Sequence, residues 1–220
     1  MLSLRLSVIS VCLAAVNVLS ASDGLRNDSV MKARLPKSFE WSSGGPLIGP
    51  KDDSYDLAGI KDPSIIEVES VYHVFASAAR EYGYDLVYLS FTDFTEANSA
   101  TFHCLDQTPI GAGYRAAPQV FYFEPHKLWY PVYQNGNAAY STNSDISNPA
   151  GWNAPKNFFD GMPSIISENM SNGNWVDMWT ICDSSDCSFF PSDDNGHLSD
   201  LGNFPNGMGN TVIALQDTNI

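Results

Sequence analysis

The sequence predicts an all-β protein assembled from repeated antiparallel sheets, and three observations carry that prediction. Its apolar stretches are short, rich in Val, Ile, Tyr, Phe and Trp, and bounded by Gly, Pro, Asn and Ser, the pattern of strands on a pleated, half-buried surface. Helical periodicity is nearly absent past Lys37, which argues against amphipathic helices. The strands also fall into units that open at Asp62, Ala117 and Asp177, 55 and 60 residues apart, close to the ~50-residue period of kelch-type propeller blades. A propeller sets such sheets radially, so the starts of equivalent strands converge on one central funnel. A β-sandwich is the alternative, but it predicts turn signals every 8–12 residues or so and no long repeat.

The chain begins with a short basic segment, Met1 to Arg5, and an apolar one, Leu6 to Leu19, ending at the small residues Ser20, Ala21 and Ser22. That is the form of a secretory signal peptide, assigned here to residues 1–21, and it is too short and wrongly flanked for a membrane span. Residues 22–220 are then expected to form one propeller-type domain in an extracellular protein. A polar segment runs to about Lys37, after which strands are predicted in "SIIEVESVYHVFAS", "YDLVYLSF", "PQVFYFEPHKLWYPVYQ", "AAYST", "VDMWTIC" and "CSFFPS". With 44% hydrophobic and 12% aromatic residues, the composition is that of a globular core and excludes disorder. Eleven Lys and Arg against 25 Asp and Glu give a formal charge of −14, which repels both a phosphate backbone and an anionic bilayer. Nucleic acid and membrane partners are therefore not expected, whereas neutral polysaccharides are; a monomer is expected.

Cys182 and Cys187, in "TICDSSDCSFF", flank a polar turn between two apolar runs. In an oxidising compartment that spacing predicts a hairpin disulfide. Zinc would call for C-x2-C pairs or nearby histidines, and neither is present. Cys104 is left over as a thiol. Asn27 and Asn169 lie in N-x-[ST] sequons and are candidate glycosylation sites.

Asp62 and Asp177 are carboxylates beside strong strand formers at the same place in the repeat. A lone aspartate at a strand end is ordinarily a turn or cap residue, and Lys61 can simply neutralise Asp62; the matched positions favour a site. Two carboxylates facing one pocket suit glycoside hydrolysis, and inverting enzymes hold them about 6.5–9.5 Å apart to admit a water. Lys61 beside a base favours its ionised form. Pro63 suits the first position of a strand, where no ladder donor is needed. Trp129, Trp175 and Trp179 can stack on sugar rings, with blade packing the expected role of at least two. There is no G-x-S-x-G, P-loop or H-E-x-x-H motif, which excludes the corresponding chemistries. His73, His103, His126 and His197 are scattered, as core or surface residues are. "SDDNGHLS" resembles a calcium loop only faintly, lacking alternating ligands and the distal Glu.

At these residues the sequence resembles glycoside hydrolase family 62, the secreted fungal and bacterial α-L-arabinofuranosidases that remove arabinose side chains from arabinoxylan. The likeness runs through "LPKSFEW", "GIKDPSII", "YHVFAS", "AAPQVFYF", "YQNGNAAYSTNSDISNPAGW", "WVDMWTICDS", "SDDNGHL" and "NFPNGMGNTVIALQD", from about Leu35 to Ile220. It implies a five-bladed propeller, of which about three blades are present, and inverting chemistry without a cofactor. By motif it implies Asp62 as general base, Asp177 as the aspartate that orients and tunes the acid, and Lys61 and Gln119 as residues of the arabinose pocket. The family's general acid is a glutamate just beyond "VIALQD", so impaired activity and open sheet edges are expected of these 220 residues. A structural calcium at the propeller centre is implied for the full-length fold, with its histidine site outside this sequence.

Several departures from the family pattern accompany the match. "IIEVESVYH" lacks an Asn-Gly turn, Cys104 stands where an aromatic residue is common, and "GHLSDLGNF" is several residues short. Pro131 removes a donor from what reads as a central strand. Two other functions fit the same residues: a related propeller hydrolase acting on arabinan or xylosides, and a non-catalytic polysaccharide binder.

Overall fold

The computed structural model describes residues 38, 42–51, 55–168, 173–193 and 215–217. The signal segment, the sequons at Asn27 and Asn169, His197 and the turn after Asp193 lie outside the described residues. Three antiparallel sheets follow one another along the chain. The first contains β1 (Gly59–Val68), β2 (Val71–Ala79), β3 (Tyr84–Phe91) and β4 (His103–Cys104), in that order. The second contains β5 (Ala116–Phe123), β6 (Leu128–Gln134), β7 (Ala138–Tyr140) and β8 (Lys156–Asn157). The third pairs β9 (Trp175–Cys182) with β10 (Cys187–Asp193), and β10 with β11 (Leu215–Asp217). Among the described residues helix is confined to short 3-10 turns and to α1 (Ser164–Ser167), so the all-β expectation holds.

The first strand of each sheet carries the same irregularity. Asp62 and Pro63 oppose one residue of β2, because the register passes from Lys61↔Ser77 to Ser64↔Phe75. Ala117 and Pro118 do the same against β6, between Ala116↔Gln134 and Gln119↔Val132. Asp177 and Met178 repeat it against β10, between Val176↔Ser192 and Trp179↔Phe190. The first residue of each bulge has a positive φ: 52° at Asp62, 50° at Ala117 and 51° at Asp177. Glycine normally takes that place in such a bulge. The three repeat starts inferred from sequence spacing are thus structurally equivalent down to one dihedral angle.

The sheets pack face to face. Phe75, Tyr88, Leu105, Tyr133 and Trp152 form one fully buried cluster joining sheets one and two. Val132, Trp175, Met178 and Phe189 form another joining sheets two and three. Burial of each such large side chain contributes about 1.5–3 kcal/mol. Central strands sealed on both faces read as continuous apolar runs, as in Val74–Ala78 of β2 and Leu86–Leu89 of β3, all buried. By contrast β9 alternates, with Met178 and Thr180 buried and Trp179 and Ile181 52% and 57% exposed.

Two departures from the family pattern are absorbed locally. The β1–β2 hairpin turns through Glu69 and Ser70 at φ 50° and 64°, the left-handed pair that an Asn-Gly turn would supply without strain. Pro131 does sit in a central strand. Its carbonyl accepts the Ser141 N–H at 3.1 Å, just beyond the end of β7, and pairing resumes at the isolated Trp129↔Asn143 bridge. The ladder therefore runs past Pro131 in unbroken register, lacking only the proline's own donor.

Candidate functional site

A hollow of about 660 Å³ opens where the first strands approach one another, lined by Lys61, Tyr84, Tyr114, Gln134, Trp175 and Asp177 among others. That volume is within the range of small-molecule sites, about 300–1,000 Å³. Its walls come from all three sheets, and the bulges set their direction. A residue at positive φ swings its side chain out of the strand's regular alternation, so Asp177 leaves the β9 ladder and faces this space.

Asp62 sits beside the hollow, joined to it by Lys61, whose Nζ lies 3.2 Å from Asp62 Oδ2. The two side chains are 50% and 37% exposed, so the pair orients more than it stabilises. The Lys61 ammonium also lies 4.5 Å from the centre of the Tyr84 ring, a cation–π contact. Desolvation, the largest single influence on Lys61, lowers its pKa, but the hydrogen bond and charge of Asp62, with Tyr84 and Tyr114, outweigh it and leave the pKa raised. Lys61 is a fixed cation at the hollow's edge.

Tyr84 and Tyr114 meet edge to face at 5.8 Å. The Tyr114 hydroxyl donates to Gln134 Oε1 at 3.2 Å, and Gln134 Nε2 donates to Asp177 Oδ1 at 3.3 Å. Burial raises the Tyr114 pKa; Lys61 opposes this, and the charges of Tyr84, Asp177 and Asp62 add to it. Tyr114 therefore lies within electrostatic reach of both carboxylates. Asp62 Oδ2 also accepts the Ser77 hydroxyl at 3.1 Å.

Of the residues singled out from sequence, the structure brings Asp62, Lys61 and Asp177 together. Gln119 takes a different place from the expected one. It is buried and is not among the residues lining the hollow. Its Nε2 donates to the Thr180 carbonyl at 2.7 Å, and its Oε1 accepts the Thr180 N–H. Both functions of the amide are occupied in joining β5 to β9, so Gln119 is a bridge between sheets. Tyr84, Tyr114 and Gln134 are lining residues that the sequence reading missed. Only Gln134 left a trace: it stands opposite Ala116 as Ser77 stands opposite Lys61, the same register position in successive repeats.

The predicted disulfide between Cys182 and Cys187 is formed, closing the β9–β10 hairpin. Cys104 is buried outside it. Trp129 and Trp175 pack against the two inter-sheet cores, Trp175 also lining the hollow, while Trp179 is exposed and outside it. His73 is a core residue, with Nδ1 2.9 Å from the Tyr88 hydroxyl. His126 pairs with the Tyr130 hydroxyl at 2.7 Å. Among the described residues no three or more His, Cys, Asp or Glu side chains cluster as metal ligands would. No helix among them is long and apolar enough to cross a membrane.

Comparison with known proteins agrees with this geometry. Residues 40–219 match the family described as Glycosyl hydrolase family 62. The chain is 37% identical over 183 residues to α-L-arabinofuranosidase C of Cellvibrio japonicus, covering 81% of this chain and 27% of that protein. The catalytic domain of a family 62 α-L-arabinofuranosidase from Coprinopsis cinerea is 63% identical and superposes with a TM-score of 0.72, covering 84% of this chain and 60% of that one. The Podospora anserina α-L-arabinofuranosidase solved with cellotriose is 58% identical, with the same TM-score and the same coverage. A family 62 hydrolase solved with xylotriose is 57% identical, with a TM-score of 0.71, covering 82% of this chain and 58% of that one. The present chain thus spans about 60% of the length of these solved relatives. The match over residues 40–219, together with two aspartates at equivalent bulges beside one hollow, shows that the chain belongs to glycosyl hydrolase family 62.

Proposed function

We propose that this chain acts as a secreted glycoside hydrolase that releases α-L-arabinofuranosyl side chains from arabinoxylan with inversion at the anomeric carbon. The observation that carries this reading is the pair of carboxylates, Asp62 and Asp177, at equivalent bulges, with Asp177 lining the hollow and Asp62 tied to its edge through Lys61. In the proposed reaction Asp62 removes a proton from a water as its oxygen attacks the anomeric carbon. The glycosidic bond breaks on the opposite face, and the leaving oxygen takes a proton from a general acid that Asp177 orients; by family resemblance that acid is a glutamate following "VIALQD", and without it turnover of arabinoxylan is impaired. Lys61 and Gln134 offer donors to sugar hydroxyls, and Tyr114 and Trp175 supply rings for its apolar face. The net charge of −14 favours such a neutral substrate over a phosphorylated one.

In the same reading the three sheets are successive blades of a propeller whose first strands line the axis. The basic and apolar segments of residues 1–21 direct secretion, and the protein works as a monomer.

The test uses para-nitrophenyl α-L-arabinofuranoside, whose leaving group departs with little help from an acid, beside arabinoxylan. Release of arabinose of inverted configuration, seen in early proton NMR spectra and lost in Asp62→Asn, is expected. Retained configuration, or an active Asp62→Asn, overturns the assignment. Arabinoxylan binding without turnover, unaffected by Asp62→Asn, identifies a binding protein, and release of xylose from xylobiose or of arabinose from arabinan identifies the related hydrolases.

A further inference from the structure

Ser77 is 0% exposed, within the buried run of a strand sealed on both faces. Such a position ordinarily takes an apolar residue, and a hydroxyl there needs partners. It has two, and neither belongs to the β2 ladder. Its Oγ donates to Asp62 Oδ2 at 3.1 Å and accepts the Ala117 backbone N–H at 2.7 Å. A serine hydroxyl has a single proton. With an amide already directed at its oxygen, that proton is committed to the carboxylate.

The Lys61 ammonium reaches the same carboxylate oxygen, at 3.2 Å. Both donors therefore converge on Oδ2, and Oδ1 receives none from the described residues. A carboxylate pinned by one oxygen presents the other in a fixed direction, as a base that must meet a single water requires. The partner amide belongs to the bulge residue of the second sheet, Ala117, so the pin also spans two repeats. Gln134 occupies the matching register position in sheet two, and its amide reaches Asp177, the bulge residue of sheet three. In both cases a buried polar residue on the second strand contacts the bulge of the next sheet.

We propose that Ser77 is a positioning residue for Asp62: it anchors Oδ2 against the register of the second sheet, so that Oδ1 alone faces the attacking water. This rests on the reading of Asp62 as the base. Ser77→Ala is expected to lower kcat about tenfold, the effect of one hydrogen bond to a charged group, with KM within twofold. Ser77→Thr, which keeps the hydroxyl, restores kcat to within about threefold. A purely structural serine would lower thermal stability and leave the kcat of the folded fraction unchanged, and that result overturns the proposal. Ser77→Cys, a weaker donor of similar size, serves if alanine leaves too little folded protein; an intermediate kcat is expected, and a parental kcat overturns the inference. A crystal structure of Ser77→Ala separates this inference from the one beneath it. If Asp62→Asn hydrolyses para-nitrophenyl α-L-arabinofuranoside as fast as the parent, the assignment of Asp62 fails by itself, while an Asp62 side chain that keeps its orientation without Ser77 overturns the positioning role. Displacement of that side chain, or its splitting into several rotamers, supports it.

Discussion

Asp62 and Ala117 occupy the same structural position and differ in one group. Each follows a regular first-strand residue, precedes a proline, opposes the second strand two residues against one, and has a φ near 50°. At Asp62 the conformation delivers a carboxylate to the edge of the hollow, held by Lys61 and Ser77. At Ala117 it delivers only a methyl group, and the backbone N–H accepts the structural task of meeting Ser77. The strained backbone is therefore a property of the repeat, present with or without chemistry. A left-handed residue other than glycine costs about 1–2 kcal/mol, and here that cost recurs at three bulges, of which two carry candidate site residues. Backbone strain alone would have pointed as firmly to Ala117 as to Asp62; the carboxylate and its donors distinguish them.

The sharpest way to break the comparison is Asp62→Asn, which keeps shape and backbone and removes the base. Arabinose release should fall by about 10²–10⁴-fold, with the thermal midpoint within a few degrees of the parent, as read by activity assay and calorimetry on one preparation. Next in size is Gln119→Leu, which strands the Thr180 N–H and C=O between sheets two and three. Urea titration should show a loss on the order of 3 kcal/mol, while KM of the folded enzyme stays unchanged because Gln119 does not line the hollow. Replacing Cys182 and Cys187 with serine should cost about 2 kcal/mol, the loop-closure value for so short a bridge. Hydrogen exchange should place that loss in β9 and β10, leaving the hairpin of sheet one unaffected. The smallest effect is Ala117→Gly, which relieves strain at the bulge that has no carboxylate. A gain of about 1 kcal/mol in denaturant titration is expected, with arabinose release within twofold; a large loss of activity there would show that the second bulge also serves the chemistry.

Much of the fold was legible because β-type runs and their spacing are local properties. "YDLVYLSF" predicts β3 at its exact bounds, and the longer runs divide at Glu69–Ser70 and at Glu124–Lys127 into the hairpins β1–β2 and β5–β6. The two-residue strands β4 and β8 left no signal, since a pair of residues has no periodicity to detect. The disulfide was legible from spacing and compartment. The site was legible only in part. Asp62 and Asp177 declared themselves by their place in the repeat, whereas Tyr84 and Tyr114 read as ordinary strand and loop aromatics until the sheets came together. Gln119 and Gln134 show the limit best. Both are buried glutamines on the second sheet, and nothing in "APQ" or "VYQ" says which amide joins two backbones and which faces the hollow.

By itself the sequence determined the class of structure, the repeat, the position of the two aspartates within it and the cysteine pair, because each depends on residues close together in the chain. Tertiary structure decided which oxygen of Asp62 is held, which glutamine meets Asp177, and that a serine in the first sheet answers to an amide in the second. Those outcomes depend on hydrogen bonds across 15 to 43 residues, whose geometry exists only once the packing of one sheet on the next has fixed the register between them.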